Sequence, residues 1–400
     1  MQKVVVDQPY EFVPPCRGTF WTKALRPLLP VYLSRAHGVE SVELVGVDRL
    51  RDSVAAGRGI LLTPNHCRPS DPMVLAHLGY EVGRPIHIVA SWHLFKESAV
   101  QTWLLRRAGA FSIYREGLDR DALKCATQIL VEARRPLVLF PEGVISRTND
   151  QVNHLMDGTV FIARAAAKQR AGTTPAGTVV IHPVAIRYFF EGDLAAVLIP
   201  ALEGIERRLS WRPQSHLTLV DRVVKVGEAL LVLKEIEYFG KPQAGDLKQR
   251  LTGLIDHLLV PLELEWLKGK RDEPMVTRVK NLRTVILPEM VAGELEEAER
   301  ARRWRQLADI YLAQQLFFYP PGYFSPEPTA EKLLETVERF EEDLTDQIPV
   351  HHPLRAVVEV GEAIEVNPIR ERGVASDPVM VKIREALETM LVGLQARRRP

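Results

Sequence analysis

The sequence predicts an α/β fold in which a mostly parallel central sheet is flanked by helices, followed by a mixed helical C-terminal extension. Between residues 41 and 187, short apolar runs that end in turn residues alternate with segments of helical periodicity. Such alternation is typical of strands paired in parallel through helical crossovers. In addition, a chain of 400 residues with 46% hydrophobic content can form a substantial core, as one large domain or two.

Six apolar runs are predicted strands, at residues 42–47, 59–63, 85–90, 111–114, 136–140 and 179–187. Predicted helices lie between them, near residues 72–80, 98–108, 119–134 and 158–170. For the third of these helices we expect Asp119 as the N-cap, with apolar side chains on one face. We predict three parts of the chain: an N-terminal segment at 1–40, an α/β domain at 41–268 and an extension at 269–400.

Residues 17–38 combine cations with aromatic and leucine side chains and contain no acidic residue. A stretch of this composition is suited to the interface of a lipid bilayer, and Pro27 and Pro30 divide it into short helical pieces. The alternative is an N-terminal helix that packs its apolar side on the domain and turns its cations to water. Both interpretations stay open on the sequence.

Charge and cysteine content favour a cytosolic protein that does not bind nucleic acid. Lys and Arg number 52 against 51 Asp and Glu, so the net charge is only +1. The three cysteines, Cys16, Cys67 and Cys125, have no metal-ligand spacing and suggest free thiols in a reducing compartment. No apolar stretch has the length of a secretory signal or a membrane span. We therefore expect a cytoplasmic protein, with any membrane contact peripheral and on the cytoplasmic face.

The first candidate site is the polar segment 65–71, which follows the apolar run at 59–62. Loops at strand ends are where α/β proteins place reactive groups. His66 can act as a base near neutral pH, and Asp71 can fix its tautomer and stabilise the imidazolium. The structural alternative is that Asp71 is simply an N-cap, because Pro72 suits the first position of a helix.

Two further strand ends carry polar clusters. The run at 136–140 leads into Glu142, Gly143 and Arg147, and the run at 110–114 leads into Arg115. A guanidinium can bind a phosphate through two parallel hydrogen bonds, although a surface salt bridge is the more common role for an arginine. Gly143 permits a tight turn and a close approach of the backbone to a ligand.

Four blocks of sequence occur in the order found in a known family. They are Asn65-His66 with Asp71, Gly109-Ala110-Phe111 with Arg115-Glu116-Gly117, Phe140-Pro141-Glu142-Gly143, and Ile181-His182-Pro183-Val184-Ala185. The set resembles the glycerolipid acyltransferases, which act on 1-acylglycerol-3-phosphate and glycerol-3-phosphate, over roughly residues 40–235. The resemblance implies that the α/β domain at 41–268 is an acyltransferase domain.

The resemblance also implies residue roles. His66 would be the general base and Asp71 its partner, Arg115 and Glu142 would contact the acceptor, Gly143 would shape the loop, and the block around Pro183 would help to form the acyl-donor site. Together with Asn65, Ser146 and Arg147, these residues make up the predicted substrate site. The chain departs from the family at Val144-Ile145-Ser146, where Thr-Arg-Ser is frequent, and its arginine comes only at 147.

Residue chemistry supports acyl transfer from a thioester to a hydroxyl. One positioned histidine typically contributes about 10²–10⁴-fold to such a step. Backbone N–H groups at a loop-to-helix junction are candidate donors to the oxyanion. A serine acyl-enzyme is not indicated, since no Gly-x-Ser-x-Gly segment is present. Cys67 as nucleophile and a metal at His66 and Asp71 are weaker alternatives, and we predict no metal and no cofactor.

The C-terminal part of the chain contains a segment that is similar in sequence to an earlier one. Residues 223–230 and 357–364 are similar Val-rich segments, each expected to be a strand before an amphipathic helix, near 246–268 and 378–394. This pattern indicates a partial duplication, a second docking strand or a coincidence. Between the copies, 294–315 is a predicted charged helix, and the aromatic cluster at 316–324 is predicted to pack it or to form a lid or membrane contact.

Taken together, the sequence predicts a peripheral membrane acyltransferase of phospholipid biosynthesis. It would move a fatty acyl group from acyl-CoA or acyl carrier protein, as co-substrate, to a hydroxyl of a lysophospholipid or glycerol phosphate. One alternative is an acyltransferase for an unusual lipid acceptor. The other is a non-catalytic lipid-binding or membrane-scaffolding protein on the same fold.

Overall fold

A computed structural model of the chain describes residues 5–173, 177–271, 274–319, 328–370 and 376–399. The chain divides into two compact units. The sheet unit consists of Tyr10–Glu191 and Val350–Pro400, and the helical unit consists of Met1–Pro9 and Gly192–Pro349. This division differs from the predicted boundaries at 40 and 268, because the chain after residue 350 returns to the sheet.

The elements follow in chain order. The strands are β1 (Val39–Val45), β2 (Gly59–Pro64), β3 (His87–Ser91), β4 (Ala110–Ile113), β5 (Leu137–Val138), β6 (Val179–Phe190), β7 (Leu354–Val360) and β8 (Ile364–Glu365). The helices are α1 (Phe20–Leu25), α2 (Leu29–His37), α3 (Val47–Ala55), α4 (Asp71–Glu81), α5 (Ala99–Ala108), α6 (Arg120–Glu132), α7 (Gly158–Ala171), α8 (Leu194–Arg208), α9 (Leu219–Phe239), α10 (Leu247–Leu267), α11 (Met275–Ala292), α12 (Glu297–Phe317), α13 (Ala330–Thr345) and α14 (Pro378–Leu394).

The sheet has the order β1-β7-β6-β2-β5-β3-β4, with β8 also paired to β6. Neighbouring strands are parallel except where β6 meets β7 and β8. The predicted α/β class is therefore confirmed, and each of the six predicted strands and four predicted helices is present with its ends shifted by a few residues. Asp119 caps α6 as expected, since its Oδ1 accepts a hydrogen bond from the Ala122 N–H at 2.9 Å.

Strand β6 is longer than its neighbour β2, and this difference creates the space for the loops described below. The two strands pair only from Gly59↔Val179 to Pro64↔Val184. Beyond that point, asparagine side chains take the place of the missing strand. Asn65 exchanges two hydrogen bonds with the backbone of Ile186, at 2.7 and 3.0 Å. Asn149 does the same at Tyr188, at 2.6 and 2.8 Å.

The helical unit contains a repeated ion pair that the sequence analysis missed. A buried glutamate near the end of one helix accepts hydrogen bonds from Nε and Nη2 of an arginine in the first turns of the next helix. The pairs are Glu206 with Arg222, Glu235 with Arg250, and Glu263 with Arg278. We call each of them a clasp. Their donor–acceptor distances lie between 2.6 and 3.0 Å, so each clasp joins two successive helices through a bidentate contact.

The connecting turns repeat as well. In the first two, Arg212-Pro213-Gln214 and Lys241-Pro242-Gln243 stand at the same distance from the clasp glutamate (214 − 206 = 243 − 235 = 8). The backbone N–H of each glutamine donates to that glutamate at 3.0 Å. The true internal repeat therefore lies in the helix connections.

The prediction that residues 223–230 form a strand like that at 357–364 is wrong. Residues 223–230 lie inside helix α9, whereas 357–360 lie in β7, so the two segments differ in secondary structure. Thr218 caps α9 through the Asp221 N–H at 3.2 Å, and Gly240 ends it in the left-handed conformation. The helices predicted after the two segments are present as α10 and α14, and the charged helix is present as α12. Residues 320–324 of the aromatic cluster lie outside the described residues.

Candidate active site

The segment after β2 brings His66 and Asp71 together. His66 Nδ1 lies 2.8 Å from Asp71 Oδ2. The His66 ring also stacks on Phe140, which follows β5, with ring centres 3.8 Å apart. Two neighbouring parallel strands thus deliver the ring and the surface against which it packs, as expected for the carboxyl edge of a parallel sheet.

Asp71 is buried and receives several hydrogen bonds. Its Oδ2 accepts from the backbone N–H groups of Cys67 and Arg68, at 2.8 and 3.0 Å, in addition to His66. Its Oδ1 accepts from the Tyr188 hydroxyl at 2.7 Å. The helix begins at Asp71 itself with Ser70 at the N-cap position, so Asp71 is not the N-cap. Its carboxylate serves the preceding loop and His66.

Glu142 supports the same histidine from the other side. Its Oε1 accepts the His66 backbone N–H at 3.0 Å, and its Oε2 accepts from the Asn153 side chain at 2.8 Å. Burial, together with the nearby charge of Asp71, raises the pKa of Glu142 to about 7, although these hydrogen bonds act in the opposite direction. Since the carboxyl group is fully buried, its partners are the His66 backbone and Asn153.

Gly143 and Ser146 shape the loop after β5. Gly143 has a φ of 70°, and a Cβ atom there would lie 2.3 Å from Met156 Cε. Any larger residue would therefore be both strained and crowded. Ser146 is buried, and its N–H and hydroxyl donate to the His66 carbonyl oxygen at 2.8 and 3.1 Å. Both residues lie at the predicted site, and the Ser146 hydrogen bonds hold the loop that carries His66.

Arg115 and Arg147 have different surroundings. The Arg115 guanidinium donates to the Gly143 carbonyl oxygen, which places it beside the loop that carries Glu142. Burial lowers the pKa of Arg115, and the charge of Glu116 partly offsets this effect. Arg147 is half-buried and has a φ of 59°, so it occupies a left-handed turn. Both arginines are therefore in the region of the candidate site, on separate loops.

Asn65 and Cys67 are both enclosed. The Asn65 side chain is buried and bound to Ile186, so it holds the start of the loop. The Cys67 side chain is only 1% exposed, and its Sγ lies 3.8 Å from Asp71 Oδ1. An enclosed thiol beside a carboxylate is a poor nucleophile, which argues against the alternative of a cysteine acyl-enzyme.

Three residues at this site were missed in the sequence: Tyr188, Asn149 and Asn153. Tyr188 and Asn149 interact across the extended edge of β6, and Asn153 binds Glu142. Their roles depend on contacts between residues that are distant in the chain, and no local sequence signal marks them.

The arrangement can accept a proton from a hydroxyl group. Because Asp71 accepts a hydrogen bond from His66 Nδ1, the proton of the neutral ring is assigned to Nδ1, and Nε2 keeps its lone pair. The backbone N–H groups of residues 66, 67 and 68 already donate to Glu142 and Asp71. They are therefore not free to act as the oxyanion donors expected at this loop-to-helix junction.

Comparison with known proteins agrees with the motifs. Residues 42–187 match the family model described as Acyltransferase. A comparison with curated proteins finds no match. The matched segment begins in β1 and ends in β6, and it contains His66, Asp71, Arg115 and the loop after β5. Over residues 42–187, the chain is therefore similar in sequence to the acyltransferase family.

Proposed function

We propose that this chain transfers a fatty acyl group from acyl-CoA or acyl carrier protein to a hydroxyl of a lysophospholipid or glycerol phosphate. The observation that carries the proposal is the 2.8 Å contact between His66 Nδ1 and the buried carboxylate of Asp71. A histidine held by a buried carboxylate at a strand end is suited to general base catalysis.

In the proposed reaction, His66 Nε2 takes the proton of the acceptor hydroxyl as its oxygen attacks the thioester carbonyl carbon. The negative charge of Asp71 stabilises the imidazolium that forms. Collapse of the tetrahedral intermediate breaks the carbon–sulfur bond, and the imidazolium returns the proton to the leaving thiolate. The products are the ester and the free thiol, and His66 is neutral again.

Arg115 is the proposed ligand of an acceptor phosphate. It follows β4 at the same edge of the sheet as His66, and it contacts the Gly143 carbonyl next to Glu142. No carboxylate forms a salt bridge with it among the described residues. Burial strengthens its interaction with an anion, because fewer water molecules compete. Arg147, on its left-handed turn, is proposed mainly to order the loop.

The N-terminal helices are proposed to contact the membrane that holds the acceptor. Phe20, Leu28, Val31 and Tyr32 are exposed, with Phe20 71% accessible. Other residues of the same segment pack on the sheet unit: Leu33 is buried, and Trp21 contacts Trp103 at 4.8 Å between ring centres. No helix in the described part of the chain is long and apolar enough to cross a bilayer. Leu33 and Trp21 therefore pack as in the second interpretation, and the exposed side chains support the proposed membrane contact.

The proposal is tested with purified protein, mixed acyl-CoAs and a panel of lysolipids and glycerol phosphates, with products identified by mass spectrometry. His66→Ala should lower turnover by about 10²–10⁴-fold without loss of the fold. His216→Ala, at an exposed turn of the helical unit, is the control and should keep wild-type activity. Wild-type turnover by His66→Ala would refute the mechanism. Lipid binding without transfer to any acceptor of the panel would favour the non-catalytic alternative.

A further inference from the structure

The buried tyrosine on β6 next to Asp71 has a geometry that goes beyond packing. Tyr188 lies at the end of β6 that extends past β2, and its side chain is almost completely enclosed, with 1% exposure. Its hydroxyl is 2.7 Å from Asp71 Oδ1 and 2.9 Å from Ser70 Oγ. A tyrosine hydroxyl has one proton to donate, and the anionic carboxylate is the stronger acceptor. Ser70 is therefore the donor to Tyr188, and Tyr188 is the donor to Asp71.

The two oxygens of Asp71 are thus divided between two tasks. Oδ2 faces His66 and two backbone N–H groups, whereas Oδ1 faces Tyr188. Rotation of the carboxylate about its own bond would exchange the two oxygens and break this division. The Tyr188 hydroxyl opposes that rotation, because it gives Oδ1 a partner in a position where no water is available to replace it.

The position of Tyr188 is itself fixed. Its backbone exchanges two hydrogen bonds with the Asn149 side chain, at 2.6 and 2.8 Å, and it pairs with Ala356 on β7. The Arg68 guanidinium lies over its ring, 5.5 Å from the centre. Because the Tyr188 backbone is bound at both edges of the strand and its ring is covered by Arg68, its hydroxyl has a fixed position.

We propose that Tyr188 is a positioning residue, which acts through Asp71 by holding the carboxylate with Oδ2 directed at His66. This inference rests on the proposed function of His66 and Asp71. Without the Tyr188 hydroxyl, the carboxylate would sample orientations that do not support the imidazolium.

The test begins with Tyr188→Phe, which keeps the ring and removes only the oxygen. Its kcat should fall on the order of tenfold, the usual effect of one hydrogen bond to a charged group, while the acceptor KM changes little. Tyr238→Phe is the matched control, because the Tyr238 hydroxyl donates to Asp309 at the same distance of 2.7 Å in the helical unit. The control should keep wild-type kcat and KM.

A double-mutant cycle then separates positioning from packing. In an Asp71→Ala background, Tyr188 has no side-chain oxygen to hold, so Tyr188→Phe should lower single-turnover rates by less than about twofold. A merely structural tyrosine would lower the rate by the same factor in both backgrounds. Equal factors would overturn the proposal, and so would a wild-type kcat in Tyr188→Phe itself.

A second readout does not depend on activity. In protein labelled with ¹⁵N-histidine, the His66 resonances are identified by their loss in His66→Ala, and the hydrogen bond from His66 Nδ1 to Asp71 Oδ2 is followed through the chemical shift of the Nδ1 proton. Tyr188→Phe should change this chemical shift, whereas Tyr238→Phe should leave it in place. An unchanged chemical shift in Tyr188→Phe would overturn the inference.

The two proposals fail in different ways. Full activity in His66→Ala would remove the proposed function, and the inference about Tyr188 with it. If His66→Ala loses activity but Tyr188→Phe lowers the single-turnover rate by the same factor in both backgrounds, the proposed function remains and only the positioning role is removed.

Discussion

Asp71→Asn is the substitution that separates charge from geometry at this site. If the new amide nitrogen took the position of Oδ2, it would face three donors, from His66, Cys67 and Arg68. If it takes the position of Oδ1, it faces the weak Cys67 thiol donor and Tyr188, whose hydroxyl can accept from it and donate elsewhere. The second arrangement keeps the carbonyl oxygen on His66 Nδ1. We therefore expect the loop and the ring tautomer to be preserved.

The expected loss is electrostatic. Two unit charges about 4 Å apart interact by about 4 kcal/mol at an effective dielectric constant of about 20. The neutral asparagine gives the imidazolium only a dipole, so most of this stabilisation is lost in the transition state. We expect kcat to fall by about 10²–10³-fold. The free energy of unfolding should change by no more than about 1 kcal/mol, because the hydrogen bonds of the loop remain.

The assay compares kcat, the acceptor KM and the urea midpoint of Asp71→Asn with those of the wild type. A large fall in kcat with an unchanged midpoint supports a charge on Asp71 that acts through His66. Activity within about threefold of wild type would refute the reasoning, since a purely structural carboxylate is replaced well by an amide. Equal losses of stability and activity would contradict the predicted orientation of the amide.

Four other predictions follow from the described contacts. Arg115→Ala should raise the KM for a phosphorylated acceptor by about 10–100-fold, and Arg115→Lys should recover only part of this, because lysine keeps the charge but not the planar fork. Lys23→Glu with Arg26→Glu should weaken binding to anionic liposomes by at least about 2 kcal/mol, or roughly 30-fold, and added salt should weaken wild-type binding, as measured by sedimentation. Arg250→Met should lower the free energy of unfolding by about 3–5 kcal/mol in urea titrations, because its glutamate partner is left buried without a counter-charge. The pKa of Glu142 is raised from 4.5 to about 7, so Glu142 stabilises the fold fully below pH 4.5 and this stabilisation is lost as the pH rises through 7. Between pH 4.5 and 7, the free energy of unfolding of Glu142→Gln should therefore rise by about 3 kcal/mol relative to that of wild type, as measured by unfolding at a series of pH values.

Each of these has a control and a contrary outcome. Arg147→Ala should affect stability more than the acceptor KM, and equal KM effects from the two arginines would end the distinction between them. Lys241→Glu with Lys248→Glu carries the same charge change on the helical unit and should leave liposome binding intact. Arg207→Met removes an exposed partner of Glu203 and should change stability by at most about 1 kcal/mol, so a similar value for Arg250→Met would show that the clasp is not stabilising. A constant stability difference between Glu142→Gln and wild type across this pH range would contradict the raised pKa.

Much of the sheet unit could be predicted because its signals are local. The apolar run at 59–62 becomes a fully buried strand, and the prolines and polar residues that follow it mark the loop of His66. Asp119 caps its helix as its position indicates. The boundaries of the two units were less predictable, because β7 pairs with β6 although it begins more than 160 residues after β6 ends (354 − 190 = 164). The part of the helical unit at Gly192–Pro349 lies between these two strands in the sequence.

The segment 223–230 shows where local patterns fail. A short Val-rich run is compatible with either a strand or a buried helix, and only the longer window decides. The buried residues of α9 include Val223, Val226 and Leu231, which lie on one side of the helix because Val226 and Leu231 follow Val223 by three and eight residues (226 − 223 = 3, 231 − 223 = 8). The clasps were missed for a related reason. Glu235 and Arg250 are 15 residues apart across a turn, so their pairing becomes visible only when the two helices and the turn between them are known.

The site is located where the sheet loses a strand. Because β2 ends six residues before β6 does, the β6 backbone would be left with open donors and acceptors in a buried position, which is unfavourable (190 − 184 = 6). Asn65 and Asn149 satisfy these groups through their side chains, so the backbone of the loops is released from strand pairing and can turn. The carboxylates of Asp71 and Glu142 then take up the N–H groups of the first loop. The loop that carries His66 is therefore held in place without being part of the sheet, which suits the proposed role of His66 as a general base that is in position before the substrate binds.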